Sequence, residues 1–312
     1  MRAVTRPLLA LACLLLLSAC SPTSTASERV EPTVEPVYPQ LQTYPQIPVL
    51  EDLVYGTADD GTPLLLDACF PKDADRTDPA SDPRATIVVI HGGSWMRGDK
   101  ANLNWRSICQ WFATEGYVAV SVNYRLAPAA TFPAQLDDVT RAVEWLREPA
   151  QVRRLGIDPD RIAAFGGSAG GNLAALLGTA GVGDWTSGAR IRAVVDLSGP
   201  TDLRDAIPAT DTTGDPFELV QLTYLGCPTL DECPWAADAS PVTLVDSSDP
   251  PFFIAHSTDE FIPVLQSNAL ASALREVGVP VTYVTVEGSL HSIAMMDDAM
   301  RERILTFLRD TL

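Results

Sequence analysis

Apolar residues in this chain form short continuous runs that alternate with segments of helical spacing. Eight segments predict β-strands: 54–56, 63–68, 86–90, 117–122, 161–164, 190–197, 251–256 and 281–286. Runs without polar alternation, such as 86–90, are typical of strands that are buried on both faces of a sheet. The pattern therefore favours a sheet that other elements cover on each side.

Helices are predicted between these strands. Residues 135–153 carry apolar side chains such as Leu136 and Val143 on one face of a helix. Further helices are expected at 105–115, around 173–177, at 263–277 and at 294–312. Strands that alternate with helices indicate an α/β fold with a doubly wound, mostly parallel sheet of about eight strands and helices on both faces. We assign this domain to residues 50–312.

The alternation is interrupted between residues 199 and 241. This interval is rich in Asp, Thr and Pro, and we interpret it as a small insertion that forms a partial lid over the site. Its apolar side chains would either face an apolar substrate or pack onto the core. They are Phe217, Leu219, Leu222, Tyr224, Leu225 and Trp235.

The first residues have the pattern of a secretory leader. Two arginines precede an apolar run, 8–17, that is too short to span a bilayer comfortably. The run ends in Leu-Ser-Ala-Cys, which is similar to a bacterial lipobox, so 1–19 is predicted to be a lipoprotein signal peptide and Cys20 the lipid attachment site. The alternative is an ordinary secretory signal that is cleaved nearby, with Cys20 incidental.

Residues 20–49 are rich in Ser, Thr and Pro, which break helices and predict an extended tether. With a lipid on Cys20, the tether would hold a secreted domain at the outer face of the bacterial cell membrane. The membrane would then be a partner of the protein through that lipid.

Charge and motif content exclude several classes of partner. The chain has 40 acidic and 22 basic side chains, a formal net charge of −18. No basic stripe is available to neutralise phosphates, which argues against a nucleic-acid partner. The sequence has no Cys-x-x-Cys, His-x-x-x-His or Gly-x-Gly-x-x-Gly spacing, so we expect neither a metal nor a dinucleotide cofactor.

Four cysteines remain after the signal peptide and the predicted lipid site, an even number in a secreted domain. Three pairings are possible. The least contorted one joins Cys227 to Cys233 and Cys69 to Cys109. The alternative is free buried thiols, above all for Cys69 and Cys109.

The segment 165–172 has the spacing of a nucleophile elbow. Gly166-x-Ser168-x-Gly170 lies between a predicted strand and a predicted helix. A serine on so tight a turn has its hydroxyl exposed above the sheet, and glycines on either side let the strand and helix backbones approach closely. The turn also directs the amide of Ala169, at a helix N-terminus, toward the position of a developing oxyanion.

Chain order limits the choice of general base. Folds with a nucleophile elbow carry the catalytic serine, acid and histidine in that order along the chain. Of the three histidines in the sequence, only His291 follows both Ser168 and a plausible acid. Both Asp259 and Glu260 follow the strand at 251–256, and we favour Asp259 because of its place in the loop before the next helix.

Glycines also follow the strand at 86–90. The sequence His91-Gly92-Gly93-Ser94-Trp95 stands where the second half of an oxyanion hole is built. Glycines there allow backbone amides to face a substrate without an intervening side chain. We therefore expect Gly92, Gly93 and Ala169 to donate hydrogen bonds to an oxyanion.

Four motifs together, 91–95, 123–128, 132–138 and 166–172, resemble the α/β-hydrolase superfamily. Within it they are similar to carboxylesterases of the hormone-sensitive-lipase and feruloyl/acetyl-esterase-like (BD-FAE-like) group. Two features depart from the pattern. Ser94 stands where lipase-type members have a third glycine, a form shared with arylformamidases and plant-cell-wall esterases. The spacing from His256 to the acid is one residue short, which keeps Glu260 open.

The resemblance implies a serine carboxylesterase that hydrolyses small to medium esters through an acyl-enzyme, without a cofactor. The nucleophile, acid and base would be Ser168, Asp259 and His291. Alternatives are an amide hydrolase of the arylformamidase type, and a lipoprotein binding module that retains the scaffold without catalysis.

Overall fold

An eight-stranded sheet organises the part of the chain that our computed structural model describes. The described residues are Met1, 42–74, 77–78, 81–206 and 216–312. All the elements below belong to one compact unit, Val37–Leu312. Residues 2–19 of the predicted signal peptide, Cys20 and most of the predicted tether lie outside the described residues.

The strand order is β1-β2-β4-β3-β5-β6-β7-β8. β1 pairs antiparallel with β2 and β2 with β4, whereas all pairings from β4 to β8 are parallel. The prediction of about eight, mostly parallel strands is therefore confirmed. The strands are Val49–Thr57, Pro63–Cys69, Arg84–Ile90, Val118–Val122, Ile157–Gly167, Ala193–Leu197, Phe252–Ser257 and Val281–Val286.

Eight α-helices, α1 to α8, occur in the described residues. They are Leu103–Thr114, Ala134–Leu146, Pro149–Leu155, Ala169–Thr179, Pro216–Leu225, Pro241–Leu244, Leu265–Glu276 and Asp298–Thr311. The single helix predicted at 135–153 is two helices, because Pro149 begins a new helix after the extended residue Glu148. The helix predicted at 294–312 begins later, after a 3₁₀ turn at Ser292–Met295.

The core lies on both faces of the sheet. In β3, Val88 and Ile90 belong to one apolar cluster, whereas Ile87 and Val89 belong to the other, and all four side chains are fully buried. Because alternate residues of a strand point to opposite faces, a strand covered on both sides needs an unbroken apolar run. This is the physical basis of the run at 86–90.

Five parallel strands end at the same edge of the sheet, and each is followed by a segment of interest. Residues 91–95 follow β3, Ser168 follows β5, Ser198 follows β6, Glu260 follows β7 and His291 follows β8. Ligands of open α/β sheets bind outside the carboxyl ends of the strands. The topology therefore gathers the candidate residues at one edge.

The predicted insertion at 199–241 is described at 199–206 and 216–241. Its helix α5 buries Phe217, Tyr224 and Leu225 against the core cluster, whereas Leu219 and Trp235 are exposed. Some apolar side chains of the insertion therefore pack onto the core, and others face solvent.

Both predicted disulfides are present in the structure. Cys69 at the end of β2 is bonded to Cys109 in α1, with Cα atoms 5.9 Å apart, and both residues are fully buried. Cys227 is bonded to Cys233 just after α5, with Cα atoms 5.4 Å apart. The first bridge closes a loop of 40 residues and the second a loop of 6.

We expect the two bridges to differ in their contribution to stability. A cross-link lowers the entropy of the unfolded chain more when its loop is longer, which gives about 4 kcal/mol for Cys69–Cys109 and about 2 kcal/mol for Cys227–Cys233. Equilibrium unfolding in guanidinium should therefore show the larger loss for the Cys69→Ala/Cys109→Ala variant. An equal or larger loss for Cys227→Ala/Cys233→Ala would contradict this ranking.

Candidate active site

Ser168 occupies a strained turn between β5 and α4. Its backbone has φ 57° and ψ −126°, a conformation that side chains rarely adopt. Its amide donates to the carbonyl of Leu197 over 2.8 Å, and its carbonyl accepts from the amide of Asn172 over 3.1 Å. The side chain is partly exposed, so the hydroxyl is accessible at the edge of the sheet.

Glycine is required on both sides of this serine. A Cβ atom on Gly166 would lie 2.0 Å from the carbonyl oxygen of Gly170, and one on Gly170 would lie 2.1 Å from the carbonyl oxygen of Ile90. Both contacts are with backbone atoms, which cannot move aside as a flexible side chain can. The strand, turn and helix therefore approach as closely as the Gly-x-Ser-x-Gly spacing predicts.

Three backbone amides near the serine are without an acceptor. The amides of Gly92, Gly93 and Ala169 make no hydrogen bond within the described part of the chain. A Cβ on Gly92 would lie 3.2 Å from Cβ of Ser168, so this loop contacts the serine directly. Unpaired amides in such an arrangement can stabilise negative charge on a reacting oxygen.

His91 supports the glycine loop through its side chain, which contacts the Gly92 carbonyl. Its imidazole is fully buried, stacks on Tyr124 with centroids 4.3 Å apart, and has Nδ1 2.9 Å from the carbonyl oxygen of Gly92. Because a carbonyl only accepts, Nδ1 is the protonated nitrogen. Burial lowers the pKa of His91 to about 4, so the ring is neutral and acts as a structural donor.

His291 is paired with a buried carboxylate. Its Nδ1 donates to Oε2 of Glu260, whose side chain is inaccessible to solvent. The other carboxylate oxygen accepts from the Ser198 hydroxyl over 2.6 Å and from the Ser257 amide over 3.3 Å. The acid thus orients the imidazole and fixes its tautomer, leaving Nε2 for chemistry.

The choice of Asp259 as the partner of His291 is wrong. Asp259 is exposed, and its carboxylate accepts from the hydroxyl of the neighbouring Thr258 over 2.9 Å. Of the two adjacent acids in the turn after β7, Asp259 is exposed and Glu260 is buried. This also accounts for the spacing from His256, which is one residue short for Asp259.

His256 holds this turn together, a role that sequence reasoning missed. Its Nε2 lies 2.8 Å from the carbonyl oxygen of Ile262 and 3.1 Å from Oε1 of Glu260, and its Nδ1 lies 2.7 Å from the hydroxyl of Ser267. Burial is the main cause that lowers the pKa of His256. The sequence indicated only that a histidine ends the predicted strand at 251–256. The presence of one histidine does not reveal a hydrogen-bond network.

Ser292 connects the histidine segment to the elbow. A Cβ on Gly167 would lie 2.0 Å from Oγ of Ser292, so the residue after His291 packs against the residue before Ser168. The amide of Ser292 donates to the hydroxyl of Ser198 over 3.0 Å. Sequence order did not indicate Ser198 or Ser292, because neither belongs to a recognisable motif.

Ion pairs fix the loops around the glycines. Arg125 makes a forked contact with the buried carboxylate of Asp138, at 2.9 Å from Nε and 2.8 Å from Nη2. Lys100, at the end of the loop that starts at Gly92, donates to the buried carboxylate of Asp67 over 2.7 Å. The Arg125–Asp138 contact gives the motifs at 123–128 and 132–138 a structural role.

Comparison with known proteins places the chain in a family. The model of the BD-FAE family matches residues 73–274. The chain belongs to the BD-FAE family. Esterase LipC of Mycobacterium tuberculosis is 33% identical over 72% of this chain and 57% of its own length, and bovine arylacetamide deacetylase is 42% identical over 30% of this chain and 24% of its own length. The chain thus spans little more than half the length of such curated relatives as LipC.

Solved structures agree with this family. An esterase from the planctomycete Thermogutta terrifontis superposes with a TM-score of 0.64 at 28% identity, over 85% of this chain and 91% of that one. A truncated carbohydrate esterase from gut microbiota has a TM-score of 0.69 at 23% identity, over 84% and 95%, and shows likeness of fold. The chain has the α/β-hydrolase fold.

Asp196 is a buried acid beside the elbow. It pairs with Gly166 in the sheet and is fully buried. Oδ1 accepts from the Gly199 amide over 2.9 Å, whereas Oδ2 has no hydrogen-bond partner among the described residues. Burial raises the pKa of Asp196 to about 7. The hydrogen bond from Gly199 only partly replaces the water that an ionised carboxylate would bind.

This acid should lower stability as the pH rises. Between about pH 4 and pH 7 the unfolded chain has lost the Asp196 proton and the folded protein keeps it, so folding becomes less favourable across that window. From pH 5 to pH 8 the loss from this group is about 3 kcal/mol. Denaturant unfolding at both pH values should show a smaller decline for Asp196→Asn. The same decline in both proteins would show that Asp196 is ionised in the fold.

Proposed function

We propose that this protein is a serine carboxylesterase that acts on small to medium carboxylic esters. The observation that carries the proposal is the Glu260–His291 pair, which the packing of Ser292 on Gly167 brings to the strained Ser168 turn. Membership of the BD-FAE family and likeness to proteins named esterases support it.

Acylation begins at the Ser168 hydroxyl. His291 accepts its proton at Nε2 while Oγ attacks the ester carbonyl carbon, and the tetrahedral oxyanion accepts hydrogen bonds from the amides of Gly92, Gly93 and Ala169. The carbon–oxygen bond to the alcohol then breaks. The alcohol leaves with the proton that His291 received, and the acyl group stays on Ser168.

Deacylation repeats the sequence with water. His291 takes a proton from water, the resulting hydroxide attacks the acyl-enzyme, and Ser168 recovers its proton as the carboxylic acid departs. The buried carboxylate of Glu260 stabilises the imidazolium in both halves. Its hydrogen bonds from Ser198 and Ser257 hold it in place, so little reorganisation accompanies each proton transfer.

Amides are the second candidate substrates. The similarity to an arylacetamide deacetylase, confined to 30% of this chain, is the observation that favours them. The same residues would act, but the leaving amine requires protonation by His291 before the bond breaks. Esters rank first because the relatives that match most of the chain bear esterase names.

We also propose that the protein is a lipoprotein of the outer face of the bacterial cell membrane. The support is the lipobox-like sequence that ends at Cys20 and the Ser/Thr/Pro-rich segment that follows. A lipid on that cysteine would keep the esterase domain near the membrane through the tether at 20–49.

Hydrolysis of p-nitrophenyl esters tests the function. The protein should hydrolyse the acetate and butyrate faster than the decanoate, and Ser168→Ala should lower kcat by at least ~10³-fold, because no other side chain supplies the nucleophile. 4-Nitroacetanilide is the matched amide. Faster turnover of the anilide would favour the amide hydrolase, and equal activity of Ser168→Ala would exclude Ser168 as the nucleophile.

The two adjacent acids provide an internal control. Glu260→Gln should lower kcat by ~10³–10⁴-fold, because an amide at this position no longer stabilises the imidazolium or fixes the His291 tautomer. Asp259→Asn, one residue away and exposed, should change kcat less than about twofold. Denaturant unfolding of both variants checks that they are folded. A large loss in Asp259→Asn alone would restore Asp259 as the acid.

A further inference from the structure

Phe261 is a half-exposed aromatic side chain in contact with the candidate base. It exposes 48% of its surface, and its ring centroid lies 4.3 Å from that of His291 at an interplanar angle of 53°. Phe217 of the insertion helix α5 is buried, and its ring centroid lies 6.4 Å from that of Phe261. We call the two aromatic rings the aromatic wall; Phe261 is the ring that lies beside the imidazole.

The position of Phe261 is fixed by its neighbours in the chain. The residue before it, Glu260, is held by His291 and Ser198. The residue after it, Ile262, is buried, and its carbonyl oxygen lies 2.8 Å from Nε2 of His256. An exposed ring on a surface loop can turn away from water, whereas this one is held at the rim of the site by contacts on both sides.

The chemistry of acylation determines which part of a substrate meets this wall. The alcohol oxygen takes its proton from His291 as the carbon–oxygen bond breaks, so that oxygen must lie within hydrogen-bond reach of the imidazole. The carbonyl oxygen, in contrast, faces the amides of Gly92 and Ala169. The group attached to the alcohol oxygen is therefore the part of the ester that emerges beside the imidazole and its neighbours.

We propose that the aromatic wall, with its exposed surface supplied by Phe261 and with Phe217 packed behind that ring, is the subsite for the alcohol portion of the ester, and that it selects apolar and above all aromatic alcohols. The inference rests on the proposed esterase function. An aromatic group that covers the exposed face of Phe261 removes apolar surface from water and gains ring–ring contact. A methyl group in the same place covers far less of that face.

Three esters distinguish recognition of the alcohol portion of the substrate from recognition of its acyl portion. Benzyl acetate and methyl acetate share an acyl group and form the same acetyl-enzyme, so the ratio of their kcat/KM values reports recognition of the alcohol during acylation. Methyl phenylacetate is an isomer of benzyl acetate that carries its ring on the acyl side. All three are assayed with the full-length protein by titration of the acid released.

We expect the wild-type protein to prefer benzyl acetate to methyl acetate by about tenfold or more in kcat/KM. Phe261→Ala should lower this ratio roughly tenfold, whereas the ratio of methyl phenylacetate to methyl acetate should change less than about twofold. Phe261→Leu should lie between wild type and Phe261→Ala. Val54→Ala, in edge strand β1 and with 54% of Val54 exposed, is the control and should leave both ratios unchanged.

Other outcomes overturn the subsite. If Phe261→Ala lowers kcat/KM equally for all three esters, the ring only supports His291. If it lowers the methyl phenylacetate ratio instead, the wall binds the acyl group. Hydrolysis of methyl acetate by the wild type with no preference for benzyl acetate refutes the subsite alone, whereas no hydrolysis of any ester refutes the esterase function with it.

Discussion

The buried carboxylate of Glu260 is the constraint on which the site depends. A carboxylate without access to water is costly unless protein groups replace its hydration. Here the replacement comes from His291, Ser198 and Ser257, with the His256 ring 3.1 Å away. These groups belong to the ends of three neighbouring strands, β6, β7 and β8. Satisfying one buried charge therefore fixes the relative positions of three strand ends and, with them, the imidazole.

The Ser168 turn is constrained by packing in a complementary way. Its backbone lies in a conformation that costs on the order of 1–3 kcal/mol, and it persists because β3, β5 and α4 meet at glycines that leave no space for relaxation. Ser292, which fits against Gly167, couples this turn to the histidine segment. Ser168 and His291 are thus held by two sets of contacts that are joined where Ser292 meets Gly167.

The sequence predicted the sheet because burial on both faces demands apolar runs, and it predicted Ser168 and His291 because chain order and a tight turn leave few choices. It did not predict the break at Pro149 within an otherwise periodic helix. It also favoured Asp259 over Glu260, and that choice was wrong. Which of two adjacent turn residues faces inward depends on backbone angles, and the spacing from His256 was only a weak indication of Glu260. The buried donors around the acid come from distant segments and have no local pattern.

The insertion links both sides of the site to the core. Tyr224 of α5 stacks on Trp95, at the end of the glycine loop, with centroids 4.0 Å apart, and Phe217 of the same helix faces Phe261 beside His291. One helix therefore contacts both the glycine segment at 91–95 and the segment that carries Glu260. Because both contacts are aromatic and apolar, sequence changes in α5 can alter the surroundings of the candidate site without replacing Ser168, Glu260 or His291. The positions of Ser168 and His291 depend on strand ends and a buried carboxylate, whereas the sequence of the insertion can vary without changing those residues.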